Sequence, residues 1–493
     1  MSALAVASHR LALPASAIAA VVLLSVGVGA AIGLGQPMAV ALAAVPLLTA
    51  VLAILALKAR WTLVLMALAA SYAGAPFTDR IALGGTGVWI SDLVIGLAVA
   101  GWVAEWLSKP VERRPRLPRA AVLGVPVLLL AVTLLIGAER GNERYGASLI
   151  GMPLRLVAYA MIATAITSVT PKQALRGLTV VFYAGVLYQA GVAAYHIATG
   201  TSATEHLNLS TGGIRYIGIG PATYAAASVL IALLNLVRSE KHRGVHLAFL
   251  AIACLTVLVA YTRTVWLIIG IEVFVVLLVS SRARQVTLSS LPLVVPFLVI
   301  GALGIAAAKP DLIATFSERL STPASQDSSV QWRAYAYQAV LSGVSDERLL
   351  GVGFGRTQSF SINGQPNYIT GDPHNGYIYV YAGGGILALA ALILVMLTFL
   401  WDWARRWKWG DEDGRTLLAF SLGMWFIFMG HAAAEPIFTE PTMLLAIWIA
   451  TLLPAMVVPP GREPLIGAAR RTPPAMAARL HRRPPRNTPL AHA

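Results

Sequence analysis

The stretch from Val245 to Ser281, VHLAFLAIACLTVLVAYTRTVWLIIGIEVFVVLLVSS, decides the fold. Only three strongly polar side chains interrupt it: His246, Arg263 and Glu272. About 20 apolar residues at a rise of about 1.5 Å cross a hydrocarbon core of about 30 Å, so this stretch reads as two membrane-spanning helices, 245 to 262 and 264 to 281. They meet at Arg263 with almost no loop. Working outward, similar windows fall near residues 11 to 34, 37 to 57, 61 to 76, 88 to 107, 119 to 137, 151 to 169, 174 to 198, 218 to 237, 287 to 307, 374 to 400, 416 to 434 and 441 to 458. The sequence therefore predicts an all-α, polytopic membrane helix bundle of about fourteen transmembrane helices. The first window is too long for a signal-peptide core and lacks a small-residue cleavage site, so no cleaved segment is expected.

Composition agrees. Of 493 residues, 57% are hydrophobic and 12% charged, against about 25% charged in soluble domains. An ordinary soluble enzyme is excluded. The net charge of +15 follows from 37 Lys and Arg against 22 Asp and Glu. It would suggest nucleic acid only if the basic residues clustered with aromatics on one exposed surface. Instead, 26 of the 37 lie in one set of alternate connections and in the tail, among them Lys109 to Arg119, Arg238 to Arg243, Arg405 to Arg415 and Arg462 onward. The positive-inside bias then predicts both termini in the cytoplasm, and no nucleic-acid partner is expected. The lone Cys254 lies in an apolar run, so neither a disulfide framework nor a thiolate metal site is expected.

Three regions follow: N-terminal transmembrane helices over 1–200, a core over 201–460, and a basic Pro-rich cytoplasmic tail over 461–493 expected to be disordered. The core contains the longest outer connection, 309–373. A loop of that length is uncommon unless functional or disordered, and this one interleaves Trp332, Tyr335, Tyr337, Phe354, Phe360 and Tyr368 with charges. It reads as a small folded cap, with a short amphipathic helix over Gln331–Leu341 that places Tyr337 and Val340 on one side.

Four basic positions fall at the outer surface on different segments. Arg155 lies one turn into the sixth helix, where interfacial snorkelling and anion binding are both open. Arg215, in TGGIRYIGIGP, precedes the eighth helix; a solvated loop arginine and a ligand contact fit equally. An unpaired Arg at bilayer depth costs roughly 3 kcal/mol or more, so Arg263 at its tight hairpin tip needs an anionic ligand, water or a carboxylate from the 309–373 loop. His374, in GDPHNGYIYVYAGGG, opens a helix at the outer interface, where an imidazole serves either as a cap or as a proton acceptor near pH 7. In the loop, Arg333 beside Trp332 is a candidate phosphate or sugar contact, while Arg319, Arg348 and Arg356 read as surface residues. Several guanidinium groups near one imidazole suit a phosphate or diphosphate, whose oxygens match the planar Arg fork.

Other signals carry less. Gly351, Gly353 and Gly355 look like a phosphate cradle, but no nucleotide fold surrounds them, and they read as a tight turn. Asp411, Glu412 and Asp413 spell a DxD pattern in a short cytoplasmic loop, read as solvated. Glu272, mid-helix, is either a proton relay or a paired acid. His196 and His431 read as packing residues. Neither HExxH nor GxSxG occurs.

These residues resemble a known family. YTRTVW, QWRAYAYQAV, LLGVGFG, DPHNGYIYVYAGGG and EPIFTEPTMLLAIW, in this order between Tyr261 and Leu453, look like the core of the bacterial O-antigen ligase and O-antigen polymerase superfamily. RYIGIG, with Arg215, is a looser match, and the first half of the chain resembles the family only as generic helices. The resemblance implies a metal-independent membrane glycosyltransferase without cofactor. It would act at the outer face of the bacterial cytoplasmic (inner) membrane and move a glycan from an undecaprenyl (polyprenyl) diphosphate carrier to an acceptor hydroxyl on a glycan, on lipid A core or on a protein. Carried over, Arg215 and Arg263 hold the diphosphate, and His374 activates or orients the acceptor; Arg155 and Arg333 are further candidates for the diphosphate. The family commonly has about twelve helices, against about fourteen read here. A lipid-linked oligosaccharide flippase, which also needs basic residues facing a diphosphate, is the competing reading; alternating access would favour inverted repeats and ionisable groups at the midplane.

The topology is directly testable. Cysteines placed at Ser325 and Asn363 should react with an impermeant thiol reagent outside intact cells, and cysteines at Gly410 and Thr472 should not; the reverse pattern would invert the orientation.

Overall fold

The computed structural model describes residues 59–74, 80–83, 86–110, 120–141, 158–201, 216–239, 241–260, 262–279, 328–362, 364–370, 373–435 and 437–459, with isolated positions such as Leu55, Arg155 and Leu156. The expected helices at 11 to 34 and 37 to 57, most of that at 287 to 307, Arg215, Arg319, Asp372 and the tail lie outside the described residues.

The described helices are α1 (Arg60–Ala73), α2 (Ile90–Ser108), α3 (Val125–Glu139), the short α4 (Ile162–Ile166), α5 (Pro171–Thr199), α6 (Ile219–Arg238), α7 (Arg243–Val259), α8 (Arg263–Val279), α9 (Ser328–Gly343), α10 (Gly376–Trp407), α11 (Glu412–His431) and α12 (Pro441–Leu452). Among the described residues, four helices are long and apolar enough to cross a membrane: those of Ser91–Ser108, Pro171–Thr199, Ile219–Arg238 and Gly376–Trp407. Shorter apolar helices cover Val125–Glu139, Arg243–Val259 and Thr442–Met456. The architecture is that of an all-α membrane protein.

Local chemistry sets the helix ends. On α5, Thr170 and Gln173 form a capping box, Pro171 sits in the first turn, and Gly200 ends the helix in the left-handed region. α6 is the central post. Its Ala222, Ala225, Ala226 and Ala227 are fully buried, and such small side chains let neighbouring helices approach closely in lipid. Thr223 and Gly423 mark its antiparallel run along α11: the Thr223 Oγ1 lies 2.6 Å from His431 Nδ1, and a Cβ on Gly423 would sit 2.4 Å from Leu230. Several buried polar groups on these helices find partners, as bilayer depth favours. The Tyr72 hydroxyl meets Ser228 at 2.8 Å, Gln189 donates to the Tyr72 and Ala73 carbonyls, and the Tyr224 hydroxyl donates to the Thr442 carbonyl.

One end of the bundle gathers the basic residues that set the orientation reading. Arg60 pairs with Glu105 at 2.6 Å, Arg238 pairs with Asp413, and Arg406, buried, joins Asp402 at 2.8 Å and the Val457 carbonyl at 2.7 Å. The DxD acids belong to this end and have structural roles: the Asp411 side chain caps α11 by accepting from the Gly414 amide at 2.7 Å, and Asp413 holds Arg238.

At the opposite end the described part of the 309–373 connection, from 328 onward, packs into a small folded unit, the cap. Its helix runs longer than 331–341, over Ser328–Gly343. A β-hairpin, which the sequence reading missed, follows: β3 (Thr357–Ile362) pairs antiparallel with β4 (Gln365–Thr370). A second hairpin, β1 (Arg80–Leu83) with β2 (Thr86–Trp89), precedes α2. Asn-Gly and Gly-Gly occupy the two-residue connections, the sequence signal for such turns. Ala336 and Val340 of α9 and Ile369 of β4 form the core of the cap.

α10 is broken rather than straight. Gly385 has φ 69° and ψ −164° inside it, a backbone that a side chain rarely adopts. The break strands amide and carbonyl groups near bilayer depth. The cap's foot satisfies them: the Ile386 and Leu387 amides donate to the Arg348 and Leu349 carbonyls at 2.8 and 3.3 Å, and the Val352 amide donates to the Ala382 carbonyl at 2.8 Å. Phe354, 1% exposed, then fills the notch left by Gly383 and Gly137, its amide donating to the Gly137 carbonyl at 2.9 Å. Gly351, Gly353 and Gly355 all have positive φ. They let LLGVGFG interlock with a second glycine run, so they are more than the simple tight turn the sequence suggested.

Gly385→Ala should lower the thermal midpoint in detergent by several degrees, because backbone strain of about 1–3 kcal/mol adds to a Cβ placed 2.2 Å from the Leu349 carbonyl. Gly191→Ala, in open space on α5, should be neutral or stabilising by up to about 1 kcal/mol. Equal midpoints for both would contradict the interlock.

Candidate functional site

The half-helix Gly376–Gly384, ahead of the break, presents its N-terminus at the cap end. Asn375 caps it, its side-chain oxygen accepting from the Tyr377 and Ile378 amides at 3.0 Å. Three consecutive residues are tied to the segment that follows α11. The Gly376 amide donates to the Ala432 carbonyl at 2.7 Å, Asn375 Nδ2 donates to the Ala433 carbonyl at 3.0 Å, and His374 Nδ1 lies 3.4 Å from Glu435 Oε2. Gly376 is required here, since a Cβ would meet the Phe438 ring at 2.7 Å.

His374 has φ 54°, the one non-glycine residue in the left-handed region among the described residues. Such strain persists only where surrounding contacts over-determine it. They do: α9 lays Tyr337 on the His374 carbonyl with a 3.2 Å hydrogen bond, and Trp332 meets the imidazole edge-on at 5.6 Å. The same helix supplies Arg333, whose Nη2 lies 3.4 Å from Glu435 Oε1. Glu435 therefore joins the cap arginine and the interfacial histidine. Its side chain is 13% exposed, against 47% for His374. Both contacts are long for hydrogen bonds, a common feature of catalytic pairs before substrate binds.

The sequence reading named His374 and Arg333 but passed over Glu435, which stands first in EPIFTEPTMLLAIW and 61 residues from His374. A polar acid directly after an apolar helix, at the end opposite to the basic connections, was the available signal.

The other arginines are placed as follows. Arg263 opens α8 three residues after Ala260, which marks the end of α7, as the hairpin reading expected. α8 packs on α11 where Ile268 approaches Gly430. Arg155 is in a different cluster: its Nε lies 2.8 Å from Asp92 Oδ2, and Tyr159 donates to the other Asp92 oxygen at 2.7 Å. Arg140, which the sequence reading did not single out, pairs with Glu347 at the foot of the cap. Arg348 and Arg356 are exposed, as expected. His431 is fully buried against Thr223, a packing position.

Beneath the half-helix an apolar cleft encloses about 590 Å³, open space included, between α3, α10, α11 and α12. Val380, Met429 and Phe438 line its upper part, and Leu156, the neighbour of Arg155, borders it as well.

Residues 247–393 match the family model described as O-antigen ligase. This segment is similar to the O-antigen ligase domain. That match supports the O-antigen ligase superfamily and, at the level of the family, a membrane enzyme of the glycosyltransferase type. The O-antigen ligase match spans α7, α8, the cap and the upper half of α10, and so holds Arg263, Arg333 and His374; Glu435, Arg155 and Arg215 lie outside it. No curated protein matches the chain.

The charge on Glu435 has a definite sign. Burial alone would push its carboxyl up, but the hydrogen bond and charge of His374, followed by the charges of Arg333 and His431, outweigh burial and hold it below the ordinary glutamate value. A depressed folded value contributes stability that is complete above the unfolded value, about 4.3, and is lost as pH falls through the folded one. Amide exchange in Trp332–Val340, corrected for intrinsic rate, should thus stay slow at about pH 5 and accelerate in stronger acid. In Glu435→Gln this acid step should disappear; its persistence would contradict the link between Glu435 and the cap.

Proposed function

We propose that the protein transfers a glycan from a polyprenyl diphosphate carrier, of the undecaprenyl type, to an acceptor hydroxyl at the outer face of the bacterial cytoplasmic membrane. The observation that carries this reading is the junction of His374, Glu435 and Arg333 at the end of the bundle opposite to the basic connections, with two of the three inside the O-antigen ligase match.

The chemistry follows from the contacts. Glu435 beside Nδ1 favours the tautomer with the proton on Nδ1, leaving the lone pair on Nε2. His374 then accepts the proton of the acceptor hydroxyl as its oxygen attacks the anomeric carbon, and Glu435 stabilises the imidazolium that forms. The anomeric C–O bond to the diphosphate breaks in the same step. Negative charge grows on the leaving diphosphate, and arginines stabilise it without protonating it. Arg263 and Arg215 are assigned to that task, with Arg155 and Arg333 as further contacts. The apolar cleft, beginning at Val380 and Met429 and bordered by Leu156, suits the carrier's hydrocarbon chain. The cluster lies at one end of the bundle rather than at the midplane, where alternating access would favour it, which supports transfer over a flippase.

The test uses purified protein in lipid nanodiscs with a polyprenyl diphosphate oligosaccharide and acceptor glycans. Wild-type protein should release polyprenyl diphosphate and form a new glycosidic bond in excess chelator, and equally after Asp411→Asn, Glu412→Gln and Asp413→Asn together. His374→Ala should lose at least a hundredfold in transfer, within the general-base range of about 10²–10⁴, while still binding donor. Arg263→Ala should weaken donor binding, and Arg263→Lys should recover little, because the fork is lost. Wild-type turnover by His374→Ala, or loss on chelation restored by magnesium or manganese, would overturn the mechanism.

A further inference from the structure

The cap's core has Ala336, Val340 and Ile369 at its buried centre. Trp332 and Phe360 stand at the rim of that core, only partly buried. Their rings meet edge-on, 5.7 Å apart at 71°. Trp332 also meets the His374 imidazole at 5.6 Å and 65°, and the next residue, Arg333, meets Glu435. An indole and a carboxylate thus meet one imidazole, with a second aromatic ring beside the indole and a guanidinium on the carboxylate.

That combination has a recognisable chemistry. A pyranose ring carries axial C–H groups on its faces and hydroxyls around its rim. An aromatic face takes up the C–H side by dispersion and by the ring quadrupole, while Arg and Glu bond the rim hydroxyls bidentately. A sugar stacked beside Trp332 would bring a rim hydroxyl within reach of an imidazole whose ring centre is 5.6 Å from the indole. A serine or threonine of a peptide offers no such face.

We propose that Trp332 and Phe360 form the acceptor subsite and that they select a sugar-ring hydroxyl over a peptide hydroxyl. This inference rests on the function proposed above and names the acceptor class of the same site. Trp332 is a specificity-determining residue in this account; His374 remains the base.

The test separates subsite from reaction. Binding of maltose, cellobiose and N,N′-diacetylchitobiose to the full-length protein in detergent is followed by saturation-transfer NMR, in wild type, His374→Ala, Trp332→Leu, Trp332→Tyr and Phe360→Leu. At least one disaccharide should bind wild type and His374→Ala alike, weaken about tenfold in Trp332→Leu, and recover largely in Trp332→Tyr. Phe360→Leu should give a smaller loss, and it carries the test if Trp332→Leu fails to fold. In the transfer assay Phe360→Leu, which leaves the contacts of His374 in place, should raise KM for the sugar acceptor severalfold, with donor KM, donor hydrolysis and transfer to glycerol unchanged. Binding without any transfer would support the subsite and overturn the proposed reaction. Transfer with no dependence on Trp332 or Phe360, or equal loss with sugar and glycerol, would overturn the subsite.

Discussion

The bilayer tolerates no unsatisfied backbone, and the break at Gly385 is where that constraint bears hardest on this chain. A helix that stops in the membrane leaves amides and carbonyls that water cannot reach. Here the segment from Arg348 to Val352 supplies the missing partners, so an outer loop becomes part of the helix bundle. Gly351 and Gly385 make that approach possible: a side chain on either would keep the two backbones apart, while Gly353 lies against Arg140 and Gly383 against the Phe354 ring. Cap and half-helix are in consequence one unit. Whatever moves one moves the other.

That unit fixes the geometry of His374. The half-helix places the imidazole at the bundle end, the Asn375 and Gly376 contacts fasten it to the segment after α11, and α9 closes over it with Trp332, Arg333 and Tyr337. A left-handed φ at a histidine is tolerated only under such restraint. Glu435 is shared by an arginine of the cap and the histidine of the half-helix, and its retained charge gives the site both a tether and a partner for an imidazolium. In the proposed reaction, a base with a fixed tautomer beside cations suited to a diphosphate is what single-step displacement, with inversion at the anomeric carbon, requires where arginines take the place of a metal.

Much of this was legible in the sequence, for physical reasons that can be named. Helix periods in lipid are simple, so α1 to α3, α5 to α8 and α10 to α12 fall close to where hydropathy puts them. The window at 151 to 169, by contrast, shows only the short α4 as an element among the described residues. The hairpin tip at Arg263 follows from having nowhere else for a charge to go. The cap helix was visible from its apolar spacing, two to three residues short at each end. Harder features depend on residues far apart in the chain. The partner of Arg155 is Asp92, and the partner of His374 is Glu435, contacts that no local pattern encodes. The glycine interlock was hidden because glycine spacing reads the same for a turn, a phosphate cradle or a packing notch. The 357–370 hairpin was missed despite its Asn-Gly signal, because attention to membrane spans leaves a short extramembrane sheet unsought.

The most direct test of the central claim, that Glu435 and His374 act as one device, is a double-mutant cycle on the transfer rate with His374→Ala and Glu435→Gln. Groups that work through one another give non-additive losses. The account predicts that Glu435→Gln slows transfer markedly in the wild-type background and has no further effect once His374 is alanine. Full additivity of the two losses, measured with donor binding intact, would contradict it.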